Sequence, residues 1–119
     1  MLDPTFSLLE RYLDVLAARQ RIAASNIANA DTPGYRARDI DLHSEVRSLL
    51  DQPASFPAHL AVFATDSWME PAKNDGNNVN LEREMKALSE NVLRFTVASM
   101  LLQKEIRGMR NAIQEGRGA

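Results

Sequence analysis

Acidic side chains cluster with a histidine between residues 39 and 45, and these residue types can bind divalent metals. Asp39, Asp41 and Glu45 supply carboxylates, and His43 supplies an imidazole. One histidine without a second nitrogen ligand nearby is a weak zinc signal. Carboxylates are also favoured at the start of a helix, where the helix dipole stabilises negative charge. We therefore expect an acidic helix start here, with a metal-dependent hydrolase as a remote alternative.

No other set of residues has the spacing of a catalytic site. The sequence has no glycine-rich phosphate loop, no HExxH pair and no nucleophile elbow. It has no cysteine, which excludes disulfides and thiolate metal sites. The formal net charge of -2 argues against a nucleic-acid partner, which would usually require a basic surface. We expect no enzyme activity, no cofactor and no small-molecule substrate.

The C-terminal part of the chain carries apolar residues in an alternating step of four and three. Nine of the ten positions are apolar, and the tenth is Ser99. The positions are Leu81, Met85, Leu88, Val92, Phe95, Ser99, Leu102, Ile106, Met109 and Ile113. A heptad pattern of this length predicts a helix that lies along another helix, over residues 80–114. Such a helix is about 50 Å long, whereas a compact chain of this size has a radius of gyration of roughly 13–14 Å.

The same step runs through the first 30 residues, where Gln20 is the single polar position. The positions are Leu2, Phe6, Leu9, Leu13, Leu16, Gln20, Ala23, Ile27 and Ala30. Asp3 before Pro4 is one suitable helix start, and Ser7 with Glu10 is another. The pattern predicts a helix over residues 1–30 and leaves its first residue open.

Two heptad helices at opposite ends of a short chain predict a mainly α fold in which the ends pack antiparallel as a coiled-coil-like pair. We expect one domain over residues 1–119. The facing positions, within one subunit or between subunits, are Leu9, Leu13, Leu16, Ala23 and Ile27 against Leu88, Val92, Phe95, Leu102 and Ile106. Helices of this length leave much apolar surface uncovered, which favours assembly with other chains.

A turn is predicted directly after the first helix, over residues 31–38. Pro33 and Gly34 suit the central positions of a type II turn, because glycine accepts a positive φ at the second of them. Asn29 and Asp31 can bond backbone groups at the helix end. A capped helix terminus with a tight turn accounts for these residues without any chemistry.

The middle of the chain shows weaker patterns. Residues 39–50 predict a short helix, and residues 51–78 lack a regular period and contain three prolines. We expect 51–78 to be largely irregular and flexible. Phe63 and Trp68 are interpreted equally well as anchors used on assembly or as local packing under a loop.

The string SNIANADTPGYRARDID, residues 25–41, resembles the N-terminal signature of the flagellar axial proteins. These are the rod, hook and filament-junction components of the bacterial flagellum. The run DGNNVNLEREM, from Asp75 to Met85, is similar to the entry of that family into its C-terminal helix, and the short central region is typical of rod proteins. The resemblance covers roughly residues 5–45 and 74–114, and it assigns the signature turn to Asn26, Asn29, Pro33, Gly34 and Tyr35.

The resemblance implies a structural subunit that polymerises with copies of itself and with related rod proteins into the helical drive shaft of the motor. It also implies contact with an export-gate or rod adaptor protein and passage through the flagellar type III export apparatus. The expected location is therefore the periplasmic rod of the basal body, reached without a cleaved signal peptide. Composition alone, with no secretory signal and no transmembrane run, would favour the cytoplasm.

An alternative from a different class is a soluble helical adaptor or chaperone-like dimer that binds a partner helix in its groove. It shares the heptads but does not account for residues 25–35. The adaptor should be highly helical as an isolated protein, whereas the rod subunit should gain helix on assembly.

Overall fold

The computed structural model describes residues 4–51, 65–66 and 71–117. Its helices are α1 (Pro4–Ala28), α2 (Leu42–Asp51) and α3 (Leu81–Arg117). Two short strands, β1 (Arg38–Asp39) and β2 (Thr65–Asp66), pair antiparallel. The prediction of a mainly α fold is confirmed. Phe63 and Trp68, for which two interpretations were open, lie outside the described residues.

Helices α1 and α3 pack antiparallel, as the sequence predicts. Asn91 Nδ2 donates to the backbone oxygen of Leu16 over 2.8 Å, and Arg94 Nη1 donates to the Tyr12 hydroxyl over 3.4 Å. Positions in α1 therefore fall as positions in α3 rise. The chain measures 71 × 25 × 17 Å with a radius of gyration of 18.5 Å, so it is far more extended than a compact chain of this length.

The core consists of two clusters, one packed against α1 and one just beyond its C-terminal end. A first cluster joins Val15 of α1 to Ile40 and Leu49, so it ties α2 and the segment before it to α1. A second, smaller cluster joins Ala30, Ala37 and Val79 beneath Tyr35. The second cluster connects the end of α1 to the segment that leads into α3.

The short helix begins at Leu42, which corrects the predicted start at Asp39. Asp39 belongs to β1, and Asp41 caps the helix. The two carboxylate oxygens of Asp41 accept bonds from the Ser44 backbone N–H over 3.3 Å and from the Ser44 hydroxyl over 3.0 Å. The first of these bonds, helped by the second, lowers the pKa of Asp41 below its ordinary value. Strand pairing up to residue 39 and the cap at residue 41 together set the helix start.

The long C-terminal helix begins as predicted and extends further than predicted. Asn80 is its N-cap, since Asn80 Oδ1 accepts the Arg83 N–H over 3.2 Å. Glu82 and Glu84 stand in its first turn. The helix continues past Gly108 to Arg117, although an interior glycine costs about 1 kcal/mol relative to alanine.

Residues 71–78 form no helix or strand, as predicted for an irregular middle, and they are packed against the rest of the chain. Asn77 and Asn78 are buried, with 0% and 2% of their surfaces exposed. Their side chains bond the segment after α1, and the local sequence pattern carries no sign of such a distant partner. Residues 52–64 and 67–70 of the same prediction lie outside the described residues.

The tight turn after α1 has the predicted type II geometry. The Tyr35 N–H donates to the Thr32 backbone oxygen over 3.2 Å, with Pro33 and Gly34 between them. Gly34 has a φ of +75°, which L side chains rarely adopt.

We expect Gly34→Val to lower the free energy of unfolding by about 1–3 kcal/mol, because valine is strained at positive φ. A Cβ at Gly34 would meet nothing within 4 Å, so the cost is one of backbone conformation. The control is Gly108→Ala, an open position inside α3, which should stabilise by about 1 kcal/mol. Thermal unfolding followed by circular dichroism measures both, and an unchanged Gly34→Val protein would rule out the type II turn.

Candidate assembly surface and its asparagine junction

Asn26, near the end of α1, is fully buried and bonds the strand that follows the turn. Its Nδ2 donates to the Arg38 backbone oxygen over 2.7 Å, and its Oδ1 accepts the Arg38 N–H over 3.1 Å. The same Oδ1 accepts the Tyr35 hydroxyl over 3.1 Å. The Asn26 amide thus pairs with Arg38 as a neighbouring strand would, and it fixes the path of the chain after the turn.

The Asn77 side chain forms hydrogen bonds with the segment at the end of α1, 45 and 48 residues earlier in the chain. Its Nδ2 donates to the backbone oxygens of Asn29 and Thr32, each over 2.8 Å. Its Oδ1 accepts the Val79 N–H over 2.9 Å. Both oxygens also accept a backbone N–H, from Thr32 and from Tyr35 respectively, so one buried side chain gives each of them a second hydrogen bond and ties the turn to the segment before α3.

Asn78 and a pair of glycines complete the contact between the two ends of the chain. The Asn78 N–H donates to the Tyr35 oxygen over 3.3 Å, and Asn78 Oδ1 accepts the Ala37 N–H. The Gly34 N–H donates to the Asp75 oxygen over 2.9 Å. Gly76 has a φ of +85°, and a Cβ there would lie 3.4 Å from the Gly34 Cα. The two turns therefore touch, and we call the contacts made by Asn26, Asn77 and Asn78 the asparagine junction.

The five residues assigned to the signature turn take different positions in this junction. Asn26 and Tyr35 contribute side chains, and Gly34 contributes its backbone. Asn29 bonds locally: its Nδ2 donates to the Ser25 oxygen over 2.8 Å. Pro33 is exposed on the surface of the turn.

Sequence reasoning missed Asn77, Asn78 and Asn91 as structural residues. Asn77 and Asn78 follow Asp75-Gly76, so their composition resembles an exposed loop. Asn91 is not one of the ten heptad positions of the C-terminal helix, so the apolar pattern gave no reason to single it out. For Asn77 and Asn78, the available signal was the similarity of residues 75–85 to the family's entry into its C-terminal helix.

Asn91 bonds α3 to α1 in the middle of the helix pair. Its Nδ2 donates to the Leu16 oxygen over 2.8 Å and to Gln20 Oε1 over 2.9 Å. Gln20 is the polar exception in the first heptad series, and this bond gives it a partner. Polar pairs at such positions favour one register of two helices over its neighbours.

The predicted facing residues of α1 lie towards the protein interior. Leu16 and Ala23 are buried, and Leu9, Leu13 and Ile27 are half-buried. The predicted residues of α3 divide into two groups. Leu88, Leu102 and Ile106 are half-buried, whereas Val92 and Phe95 are exposed.

The line of α3 that is buried against the chain runs through Glu84, Asn91 and Ala98, at intervals of seven residues. These residues are acidic, polar and small, and hydrophobic periodicity alone does not select them. The apolar line through Val92 and Phe95 lies beside this contact and remains open to solvent.

Exposed apolar surface is concentrated on α3. Nine of the ten exposed large apolar side chains in the described residues belong to this helix, with exposures from 42% to 67%. They are Leu81, Met85, Val92, Leu93, Phe95, Val97, Met100, Leu101 and Ile113. Residues 92–102 carry a single charge, on Arg94. Among the helices that the structure describes, none is both long and apolar enough to span a membrane.

Comparison with known proteins identifies the family. The sequence model for a family described as "Flagella basal body rod protein" matches residues 13–36. The flagellar basal body rod protein FlgB of Escherichia coli strain K12 is 32% identical over 133 aligned residues, which cover 97% of this chain and 96% of that protein. This chain belongs to the FlgB family of flagellar basal body rod proteins. FlgB of Salmonella typhimurium strain LT2 is 33% identical with the same coverage, and FlgB of Borrelia hermsii is 30% identical over 80% of this chain and 84% of its own.

As a FlgB family member, the chain is a structural subunit of the flagellar rod. It is located in the flagellar basal body, where it associates with other rod proteins. The family is a structural one and is not known for enzyme activity. The match over residues 13–36 includes Asn26, Gly34 and Tyr35, so it covers the α1 half of the asparagine junction.

The acidic cluster of this FlgB family member has structural partners. Asp39 accepts an ion pair from Arg83 over 3.2 Å, and Asp41 caps α2. His43 Nε2 lies 3.5 Å from an Arg47 guanidinium nitrogen. Within residues 4–51, 65–66 and 71–117, no three metal-binding side chains converge on one point.

Glu84 is a buried carboxyl group beside the asparagine junction of this FlgB family member. Burial raises the pKa of Glu84, and nearby Asp39 acts in the same direction. The Asn26 side chain, and more weakly Arg83 and Arg19, oppose this rise in the pKa of Glu84. The neutral form of Glu84 is therefore favoured by folding.

Because folding raises the pKa of Glu84, the folded chain binds a proton more tightly than the unfolded chain, whose Glu84 titrates near 4.5. The free energy of unfolding should fall as the pH rises from that value through the higher pKa of the folded state. Glu84→Gln cannot ionise and should lose this dependence. Denaturant unfolding across this pH range, with exposed Glu90→Gln as the control, measures the difference. Parallel curves for wild type and Glu84→Gln would contradict the assignment.

Proposed function

We propose that this chain polymerises with copies of itself and with related rod proteins into a helical shaft that transmits motor torque. The observation that carries the proposal is the exposed apolar surface of α3. A helix that is apolar on more than one side contacts more than one neighbour. The single charge between residues 92 and 102 leaves that segment suited to burial in a larger bundle.

The exposed side chains are sufficient in number to drive assembly. Fully burying one large apolar side chain contributes roughly 1.5–3 kcal/mol, and about half of each of nine side chains is already covered. Covering the remainder would contribute on the order of 10 kcal/mol per subunit, from which the costs of association are subtracted. The exposed side chains of α3 therefore provide a substantial driving force for association.

Subunits with long helices can assemble into a tube when each subunit contacts the next through two different surfaces. Contacts that join two unlike surfaces continue as an open helical array when the rotation does not close. α3 has 37 residues and α1 has 25, so part of α3 extends beyond α1. Neighbouring subunits that overlap along these helices would form a stiff shaft.

We also propose that the subunit reaches the periplasmic rod through the flagellar type III export apparatus, without a cleaved signal peptide. In this interpretation an export-gate or rod adaptor protein is its first neighbour. Membership of the FlgB family supports these statements. The heptad surfaces supply the apolar area that such neighbours would cover.

We expect Leu93→Asp to block incorporation into basal bodies while leaving the fold of the free subunit intact. Leu93 is 67% exposed in the single chain, so a carboxylate there costs little until a neighbour covers it. Ser48→Asp is the control, since it adds the same charge at an exposed position of α2. Immunoblots of purified basal bodies, together with circular dichroism of the free protein, measure the two effects. Wild-type incorporation of Leu93→Asp would contradict assembly through α3.

A further inference from the structure

An open groove lies between α1 and α3. It has a volume of about 430 Å³, and Ala17 and Arg21 of α1 line it together with Val92, Phe95 and Thr96 of α3. Val92 and Phe95 are among the exposed apolar side chains of the chain. An apolar groove between two helices is the kind of surface that receives the apolar face of a third helix.

The α1 side of this groove carries charges of both signs. Glu10, Asp14, Ala17, Arg21 and Ala24 follow one another at intervals of four and three residues, so they share one side of the helix. Glu10, Asp14 and Arg21 are exposed. Along α1 this side is therefore first acidic and then basic, and alanines leave room for a neighbouring helix.

A separate apolar surface lies on the side of α3 that faces away from α1. Leu93, Val97 and Met100 are spaced by four and three residues and are 67%, 51% and 62% exposed. Leu93 and Met100 each stand two residues after a buried residue, Asn91 or Ala98, and two residues are a little over half a helical turn. We call Leu93, Val97 and Met100 the outer face of α3.

Opposite charges stand at the two ends of the outer face. Glu90 precedes it by three residues, Lys104 follows it by four, and both are exposed. Among the described residues the ion pair that forms joins Arg83 to Asp39, so Glu90 and Lys104 form none within the chain. Along α3 the order is acidic and then basic, as it is along α1. Two such helices have complementary charges when they run antiparallel.

We propose that the groove of one copy of this chain receives the outer face of α3 from a second copy. The second α3 runs antiparallel to α1 of the first copy, with Val97 level with Ala17. Lys104 is then level with Glu10. A slide of one heptad would bring Val97 level with Glu10 in one direction and Lys104 level with Ala17 in the other, and this ion pair would be lost.

The same register brings the other charged end of the outer face to its partner. Leu93 of the second copy is level with Arg21 of the first. Glu90 is then three residues, or about 4.5 Å, further along the axis, within reach of the long Arg21 side chain. The occupant of the groove is thus argued from charge complementarity at both ends of one apolar contact.

The two α3 helices run parallel on the other side of the groove. Within one chain Asn91 is bonded to Leu16, so residue 90 is about level with Ala17. The two copies are therefore displaced by about seven residues, or roughly 10 Å along the axis. This displacement places Met100 of the second copy beside Val92 of the first, so apolar residues also meet on this side.

The proposed function, on which this inference rests, requires a contact that can repeat. The groove and the outer face lie on different sides of the chain, so a copy that fills one groove keeps its own groove open. A third copy adds there, on a different side of the second copy from the first, and all copies point the same way. A two-fold pair of α3 helices around Val97 would also bring Glu90 to Lys104, but such a pair closes as a dimer.

Charge reversal tests the partner of the outer face. Lys104→Glu and Glu10→Lys should each lower the number of copies per basal body by roughly tenfold, because a like-charge contact replaces an opposite one. The double variant Glu10→Lys/Lys104→Glu should restore it. Arg47→Glu, at an exposed position of α2, is the control and should have no effect. Quantitative mass spectrometry of basal bodies measures all four variants, and circular dichroism checks that each subunit folds.

Three results of this experiment would overturn the inference. Normal incorporation of Lys104→Glu would show that this end of α3 does not contact another copy. Restoration of Lys104→Glu by Glu90→Lys, and not by Glu10→Lys, would support the closed pair of α3 helices. A loss that neither change restores would assign Lys104 to a different rod protein. In each case the wild-type chain is still present in basal bodies, whereas its absence there would refute the proposed function instead.

Cysteine cross-linking tests the register. The chain has no cysteine, so Ala17→Cys/Val97→Cys introduces the only two thiols. Within one chain these positions are about seven residues, or roughly 10 Å, apart along the axis, which is too far for an internal disulfide. Mild oxidation of basal bodies should give a ladder of dimers, trimers and larger species, since each copy is linked on both sides. The single variants Ala17→Cys and Val97→Cys should stay monomeric.

Two results of the cross-linking would contradict the contact. Disulfide dimers of the single variant Val97→Cys would reveal the two-fold pair of α3 helices and overturn the parallel arrangement. Incorporated double variant without any cross-link would overturn the register of Ala17 and Val97. If the double variant is not incorporated, the charge-reversal series decides.

Discussion

Buried amide side chains of asparagine join the two ends of this chain, and their hydrogen bonds place the start of α3 against the end of α1. Asn77 satisfies backbone oxygens of Asn29 and Thr32, and Asn26 satisfies both backbone groups of Arg38. A buried polar group that loses its partner costs about 1–3 kcal/mol, so each of these side chains is held in one place. Once the segment before α3 is bound to the end of α1, α3 can only run back along α1.

This constraint accounts for the unusual distribution of polar and apolar residues on α3. Glu84 and Asn91 are buried, whereas Val92, Leu93 and Phe95 are exposed. The junction and the Asn91 bonds set the rotation of α3 about its axis, and that rotation turns the apolar residues outwards. In a monomeric protein such a surface would be a liability, and in a rod subunit we propose that neighbours cover it.

Heptad spacing was sufficient to predict the two long helices and their antiparallel packing, because amphipathic periodicity is a property of each helix alone. The type II turn was predictable for the same reason, since Pro33 and Gly34 act within four residues. The ordered segment 71–78 was not predictable from its composition. Asn77 is ordered by carbonyl groups 45 and 48 residues away, and such a partner leaves no local pattern.

The rotation of α3 about its own axis also could not be predicted from the hydrophobic periodicity. The buried residues Glu84, Asn91 and Ala98 recur every seven residues. The predicted apolar seam that contains Val92 and Phe95 has the same seven-residue repeat. A hydrophobic criterion selects the second line, whereas hydrogen bonds to Leu16 and Gln20 select the first. The stronger apolar line therefore stays exposed in the single chain, where we propose that it is available for contacts between chains.

The most direct test of this account compares the unfolding of Asn77→Ala with that of Asn74→Ala. Asn74 is an exposed neighbour in the same run, so its substitution is a matched control. The account predicts that Asn77→Ala loses about 2–3 kcal/mol in denaturant unfolding, because the buried side chain gives up its bonds to the Asn29 and Thr32 oxygens and to the Val79 N–H, while Asn74→Ala is unchanged. Equal stability of the two variants would contradict the claim that the asparagine junction holds the ends of the chain together.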